Sequence, residues 1–418
     1  MSKEIDIFKI QASWLSNIAI TVFLLYPIMA VKYIPFGGGA RYMTVLAGPL
    51  AIIILLVNYK RLDVKAVLNR AKVFLWPFLP LLLGLGFAVL YHHQDLEFKS
   101  TIVSVFYGCM IYLAAKELNL SEKQLAYAAC IGAVIYFATS IYEVNFIGRE
   151  RAFGGTYENG FAQFCMMING FALIYILKTK GNVINVFNIV LGLAMLGSFY
   201  ALVLSGSRGP LLLSPLLIIG CVRRYWESRL FIMGSFFFII IIVLYLFFVN
   251  TLYLDRLKLG ADEAIQYFQA KQYMGSSVGI RLELWKLAFG TVSIDRPFGL
   301  GRMTFSEMSH VIPELSASAI NLSTQFPVNR WQYHGDIPQA IGFGGVLLCI
   351  SYAITIFLLF KGSIGNVYRV WLVVCLFVFG LTELTVFSKY SFSLFVSCWA
   401  LYSAAQDTRL SFSMSQSE

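Results

Sequence analysis

Long apolar runs, repeated from one end of the chain to the other, constrain the fold more than any other feature. Runs close to the ~20 residues that a helix needs to cross ~30 Å of hydrocarbon recur between Trp14 and Ala405. Hydrophobic residues make up 58% of the 418 residues and charged residues only 13%. A soluble globular domain carries about 25% charged residues. The sequence therefore excludes a water-soluble fold and a separate soluble enzyme domain.

The apolar runs predict an all-α polytopic membrane protein with about 12 transmembrane helices. The predicted spans are residues 14–35, 41–58, 73–92, 99–115, 125–146, 161–178, 184–205, 209–222, 229–250, 336–360, 368–387 and 390–405. Residues 1–250 would hold nine spans, residues 251–335 one large polar loop, and residues 336–418 three more spans and a short tail. The N-terminus lacks the cleavage pattern of a secretory signal, so we expect it to be retained.

The basic residues predict the orientation. If the N-terminus is cytoplasmic, basic residues such as Lys60, Arg61, Arg223 and Arg224 face the cytoplasm and clearly outnumber those in the short outer connections. This is the positive-inside bias of membrane proteins, and it places both termini in the cytoplasm and the 251–335 loop outside. It also accounts for most of the net charge of +10, so we expect no nucleic-acid partner.

Two segments of the large loop have apolar residues at helical spacing. Residues 253–269 and 280–290 are each predicted to form an amphipathic helix, lying on the bilayer surface or over a cavity. Pro297, Gly299 and Gly301 are expected to end the second helix. Because this loop is the one long polar connection, catalysis or recognition is expected at its base.

Two arginines are candidates for binding phosphate. Arg208 lies in a break between two apolar runs, where flanking glycines allow close backbone approach and Pro210 suits the first turn of a helix. A helix start and a guanidinium together suit a phosphate, and Arg281 could supply a second guanidinium. The alternatives are a lipid-headgroup contact for Arg208 and an ion pair of Arg281 with Glu283 or Glu307. Arg302 and Arg330 are weaker candidates.

His334 is the candidate general base. It lies where the loop re-enters the membrane, and imidazole can take a proton from a sugar hydroxyl near neutral pH. The alternative is a hydrogen-bonded surface histidine.

The remaining polar groups in apolar surroundings favour structural roles. The adjacent His92 and His93 have no ligand set with zinc-like spacing, so no metal site is expected. For the span residues Glu143 and Glu383, pairing inside the bundle is favoured over exposure to a polar cavity. All seven cysteines fall in apolar runs, which indicates small buried hydrophobes.

Several segments, in order, resemble the O-antigen ligase and O-antigen polymerase superfamily of bacterial inner membranes. They are Arg151–Gly160, Ser207-Arg208-Gly209, Arg281–Phe289, Pro297–Gly301, and His334 followed by Gly342 and Gly345. Gly335 stands where the family usually has a small amide or hydroxyl residue.

The resemblance implies a membrane-embedded glycosyltransferase that uses a polyprenyl diphosphate sugar as donor. His334 would then deprotonate the acceptor hydroxyl, while Arg208 and Arg281 neutralise the departing diphosphate at the periplasmic face. Arg149 or Arg151 could replace Arg281 in this role. The reaction would need no metal or other cofactor and would invert the anomeric carbon. The implied partners are an undecaprenyl diphosphate-linked glycan, the lipid A core oligosaccharide and membrane lipids.

Among family activities, the modest length and the single large loop favour the ligase. The alternatives are a polymerase that joins O-antigen repeats and a protein-glycosylating relative. A transporter or flippase is the non-enzyme alternative, since about 12 spans would suit it. Convergence of Arg208, Arg281 and His334 within a few ångströms at the periplasmic end of a cavity would favour the enzyme.

Overall fold

The computed structural model describes residues 14–27, 31, 42–94, 97–154, 158–179, 186–211, 213–217, 219, 251–270, 277–292, 296–303, 307, 310 and 333–415. Within these residues every regular element is a helix. In chain order the helices are α1 (Trp14–Leu24), α2 (Gly48–Val57, preceded by a π-helical turn Tyr42–Ala47), α3 (Val64–Leu75), α4 (Leu79–His92), α5 (Phe98–Glu117), α6 (Glu122–Ile141), α7 (Glu158–Lys178), α8 (Val186–Ser205), α9 (Arg208–Leu211), α10 (Thr251–Ala270), α11 (Ser277–Gly290), α12 (Asp336–Ser363), α13 (Val367–Thr382) and α14 (Lys389–Ser415).

The described helices are those of a membrane protein. Six are long and apolar enough to cross a bilayer: Val64–His92, Phe98–Glu117, Glu122–Phe146, Asn159–Lys178, Val186–Ser205 and Asp336–Ser363. The shorter α1, α2 and α13 are also apolar. These helices confirm the all-α membrane class, whereas the count of about 12 stays a prediction. The predicted span 229–250 lies outside the described residues.

Local side chains fix the starts of several helices. Ser121 and Gln124 form a capping box at the start of α6, with Ser121 N–H donating to Gln124 Oε1 at 2.9 Å. The Asp63 carboxylate accepts from the backbone N–H of Lys65 at the start of α3. Asn366 accepts from the N–H of Arg369 at the start of α13. These polar caps satisfy N–H groups that the helices themselves leave unpaired.

Small residues let the helices approach one another closely. A Cβ at Gly170 in α7 would overlap the indole of Trp371 in α13, and a Cβ at Gly84 in α4 would meet Ser351 in α12. Helix α7 is central: 89% of its most apolar stretch is buried within the protein, whereas the corresponding fraction for α8 is 33%. Close packing of this kind is the main attraction between helices in a bilayer.

Three of the predicted boundaries need correction. Helices α10 and α11 cover the predicted amphipathic segments, but α11 ends at Gly290, well before Pro297. At this end of the helix the Thr291 hydroxyl donates to the Ala288 carbonyl at 2.6 Å. The predicted span 368–387 ends at Thr382, since Glu383 is extended. The predicted span 209–222 begins as the short helix α9, after which the described residues are interrupted.

Helix α12 is broken at Gly345, and the segment that was expected to end α11 fills the break. Gly345 has φ 64° and ψ −154°, a conformation that favours glycine. The N–H of Leu300 donates to the Gly342 carbonyl at 2.9 Å, and the N–H of Val346 donates to the Pro297 carbonyl at 3.0 Å. The Pro297–Gly301 segment thus supplies backbone partners for a broken helix, as irregular backbone at membrane depth requires.

Candidate functional site

The carboxylate of Glu383 joins the two strongest candidates from different parts of the chain. Arg281 Nη2 on α11 donates to Glu383 Oε1. His334 Nδ1 lies 3.7 Å from Glu383 Oε2. The Arg281 and His334 side chains are 31% and 39% exposed, whereas Glu383 is 13% exposed. A cation and an imidazole therefore border one largely buried carboxylate and remain accessible to a ligand.

The backbone around His334 is held from two sides. The indole Nε1–H of Trp285, one turn after Arg281 on α11, donates to the His334 carbonyl at 2.9 Å. Tyr333 is fully buried, and its ring lies where a Cβ at Gly342 would be. The backbone is left-handed at His334, with φ 48°, and Gly335 has φ 151°. A glycine suits that second conformation, which residues with a side chain rarely adopt.

The segment around Arg208 lies beside the end of α13, next to Glu383 in sequence. The backbone of Arg208 begins α9, and a Cβ at Gly209 would meet the Thr382 hydroxyl, next in sequence to Glu383. The Ser207 hydroxyl donates to Asn159 Oδ1 at 2.7 Å, which ties this helix start to α7. The structure thus brings the Arg208 backbone, the Arg281 side chain and the His334 side chain to one end of the bundle.

Arg149 and Arg151 lie in a neighbouring cluster and not on Glu383. Arg149 Nη1 donates to Glu143 Oε1 at 2.9 Å, and Arg151 Nη2 donates to the Gly206 carbonyl at 3.2 Å. The Ala152 N–H also donates to the Leu204 carbonyl at 3.1 Å. This cluster supports the turn that leads into Arg208.

The weaker candidate Arg302 and the residue His92 both make contacts that hold neighbouring segments together. Arg302 Nη2 donates to Glu97 Oε1 at 2.8 Å. His92 Nε2 lies 2.8 Å from the Phe298 carbonyl. Both contacts hold the Pro297–Gly301 segment against the ends of α4 and α5. Arg330 lies outside the described residues.

Glu283 is a possible partner for Arg281 by sequence, but in the structure it links α11 to α10. Its carboxylate accepts from the Tyr267 hydroxyl at 2.6 Å and from Lys286 Nζ at 3.3 Å. Burial raises the pKa of Tyr267, and its hydrogen bond to Glu283 acts in the same direction. The hydroxyl therefore remains a donor over the whole physiological range of pH.

Sequence reasoning missed the roles of two acidic residues. For Glu383 it favoured pairing inside the bundle over exposure to a polar cavity, and it assigned nothing to Asp336. The available signal was a carboxylate in an apolar span for Glu383 and an aspartate two residues after His334 for Asp336. Neither signal shows that Glu383 lies beside His334 or that Asp336 binds the turn after Glu383, because these contacts join segments far apart in sequence.

The site is suited to binding a diphosphate and moving a proton. Guanidinium groups present forked donors to phosphate oxygens, and imidazole accepts a proton near neutral pH. Among the described residues no group of three histidine, cysteine, aspartate or glutamate side chains could hold a metal ion.

Comparison with known protein families bears on this geometry. Residues 193–330, about a third of the chain, match the family described as O-antigen ligase. The segment is similar to the domain of that family. The match supports the superfamily resemblance, and the matched segment contains Arg208, Arg281 and Arg302. The family consists of membrane glycosyltransferase-like enzymes, including ligases and polymerases. His334 and Glu383 follow the matched segment. No curated protein matches the chain.

Proposed function

We propose that the protein is an O-antigen ligase of the bacterial inner membrane. It would transfer a glycan from undecaprenyl diphosphate to a sugar of the lipid A core at the periplasmic face. The observation that carries the proposal is the meeting of Arg281 and His334 at the Glu383 carboxylate, with the start of α9 alongside. The O-antigen ligase match over residues 193–330 supports the same reading.

His334 acts as the general base in this proposal. The acceptor hydroxyl loses its proton to the imidazole, and its oxygen attacks the anomeric carbon of the donor. The bond from that carbon to the diphosphate oxygen breaks, and the electron pair leaves with the diphosphate. Direct displacement inverts the anomeric centre. The nearby Glu383 carboxylate orients the ring and stabilises its positive charge after proton transfer.

The arginines act on the leaving group. Diphosphate carries growing negative charge as the glycosidic bond breaks, so fixed donors near it lower the barrier. Arg281 uses one nitrogen on Glu383, and a guanidinium has five N–H donors in total. Arg208 is proposed to bind the second phosphate group from the start of α9. Neither a metal nor a general acid is required, because diphosphate is already a good leaving group.

A reconstituted reaction tests the proposal. Purified protein in detergent is mixed with undecaprenyl diphosphate-linked glycan and lipid A core, and the products are separated by mass. We expect glycan attached to the core and free undecaprenyl diphosphate. If the parent protein forms no such product while binding the donor, the proposed activity is wrong.

Deletion of the gene separates the ligase from the polymerase, which is the main alternative. Without a ligase, lipid A core should carry no O-antigen, and undecaprenyl-linked polymer should accumulate. Without a polymerase, the core should still receive a single repeat. A glycan ladder that collapses to one repeat would therefore assign the protein to the polymerase.

A further inference from the structure

We infer that Asp336 is a positioning residue of the transfer site, acting through the turn that carries Glu383. The inference rests on the proposed function and adds a residue to it. Asp336 is the first residue of α12 and is fully buried. His334 lies two residues earlier in the chain, and Glu383 directly follows the end of α13.

The Asp336 carboxylate holds the segment that follows Glu383. Oδ1 accepts from the backbone N–H of Thr385 at 2.8 Å and of Val386 at 3.1 Å. Oδ2 accepts from the same Val386 N–H at 3.1 Å. These N–H groups follow the end of α13, where no helical partner is available to them. The Asp336 carboxylate therefore accepts both of these backbone N–H groups in the turn that begins at Glu383.

The surrounding packing makes room for this carboxylate. A Cβ at Gly380 would lie 2.6 Å from Asp336 Oδ2, so glycine at that position leaves the space that the side chain needs. Tyr352, also on α12, donates from its hydroxyl to Oδ2 over 3.5 Å. A separation of that length makes a weak bond, so the two backbone N–H groups are the main partners.

The placement of Asp336 couples the two halves of the site. His334 and Asp336 share one short segment, which also packs on the end of α13, because a Cβ at Gly335 would lie 3.4 Å from the Leu381 carbonyl. The Asp336 carboxylate also binds the backbone of Thr385 and Val386, just after Glu383. Asp336 thereby helps to position both His334 and Glu383, and so to set the 3.7 Å separation of His334 Nδ1 and Glu383 Oε2. Displacing reacting groups by ~1 Å can cost about 10²-fold in rate.

Asparagine is the informative substitution at this position. Asp336→Asn keeps the size of the side chain and one acceptor oxygen, but its NH₂ group would face a backbone N–H instead of accepting from it. We expect the single-turnover transfer rate to fall by about tenfold, less than the ~10²-fold cost of a ~1 Å misplacement and no more than the loss expected for Glu383→Gln, with donor affinity changed by less than about threefold. Tyr352→Phe is the matched control, since it removes only the long hydrogen bond and should leave the rate near that of the parent.

A double-mutant cycle with Glu383→Gln tests the positioning role. If Asp336 acts through Glu383, adding Asp336→Asn to Glu383→Gln should cost at most about threefold more, since coupled residues are not additive. A fully additive loss would overturn the inference and make Asp336 a residue of general stability. So would an unchanged rate in Asp336→Asn. An inactive parent protein would instead count against the proposed function itself.

Gly380→Ala gives a second route in case Asp336→Asn does not fold. Its added methyl group displaces the Asp336 carboxylate from the turn while keeping the charge. The same cycle with Glu383→Gln applies, with monodisperse elution in detergent as the check of folding. Non-additive loss supports the inference, and additive loss or no loss overturns it.

Discussion

Two glutamates near the ends of apolar helices, Glu143 and Glu383, illustrate how similar sequence features acquire different roles. Glu143 is fully buried, and three of its partners lie within the eleven residues that follow it: Arg149 Nη1 donates to the carboxylate at 2.9 Å, as do the backbone N–H of Gly154 at 2.9 Å and the backbone N–H of Phe153. Glu383 is 13% exposed and pairs with Arg281, 102 residues away in the chain, and with His334.

The contrast shows that the role of a buried carboxylate is better inferred from where its partners lie in the sequence than from its burial alone. A carboxylate whose acceptor sites are filled by its own connecting segment shapes that segment. A carboxylate that contacts an arginine and a histidine from distant segments, both accessible, organises a site. We therefore expect substitutions around Glu383 to change the chemistry and substitutions around Glu143 to change stability.

The largest effect is expected on the Glu383 side, from His334→Ala. Removing a general base typically costs about 10²–10⁴-fold in rate, so transfer should be nearly abolished while donor binding is mostly retained. Single-turnover transfer and donor binding by the purified protein measure the two effects. Loss of donor binding in parallel with rate would show that His334 holds the donor instead.

The next largest effect concerns the geometry of the arginines. Lysine keeps the charge but loses the forked donors, so Arg281→Lys and Arg208→Lys should each lower the transfer rate by about 10²-fold in protein that still inserts. Arg149→Lys and Arg151→Lys, in the Glu143 cluster, are the matched comparisons. A larger loss of rate in Arg149→Lys or Arg151→Lys than in Arg281→Lys would indicate that the diphosphate binds at that cluster instead of at Arg281.

A smaller effect separates the two glutamates directly. Glu383→Gln should lower the transfer rate by roughly tenfold, the low end of effects at a base, because the imidazolium formed on proton transfer loses its counter-charge. Glu143→Gln should keep the rate within about threefold but lower stability by roughly 1–3 kcal/mol, since the Arg149 partner and backbone N–H groups lose their charged acceptor. Thermal unfolding in detergent and transfer per folded molecule distinguish the two outcomes.

The smallest expected effect is that of a chelator. In the proposed mechanism Arg208 and Arg281 supply the positive charge that a metal would otherwise provide, so transfer should survive EDTA. The control is the same reaction with added magnesium or manganese. Loss of transfer in EDTA, with recovery on adding either metal, would contradict the role given to the arginines.

The sequence predicted the fold class well because it depends on composition and apolar periodicity. It also placed α10 and α11 and selected Arg208, Arg281 and His334, whose segments the structure brings together. It could not predict that α13 ends at Thr382, because that boundary depends on Asp336 binding the following turn. Nor could it predict that Pro297–Gly301 fills the break in α12, since both involve contacts between distant segments.

One substitution tests the central claim, that the group beside Glu383 is the base of a glycan transfer, most directly. Glutamine at position 334 can still donate and accept hydrogen bonds but cannot take up a proton at neutral pH. The account predicts a single-turnover transfer rate for His334→Gln at least about 10²-fold below that of the parent, with donor binding retained. A rate within about threefold of the parent would contradict it and leave His334 as a residue that only positions the acceptor.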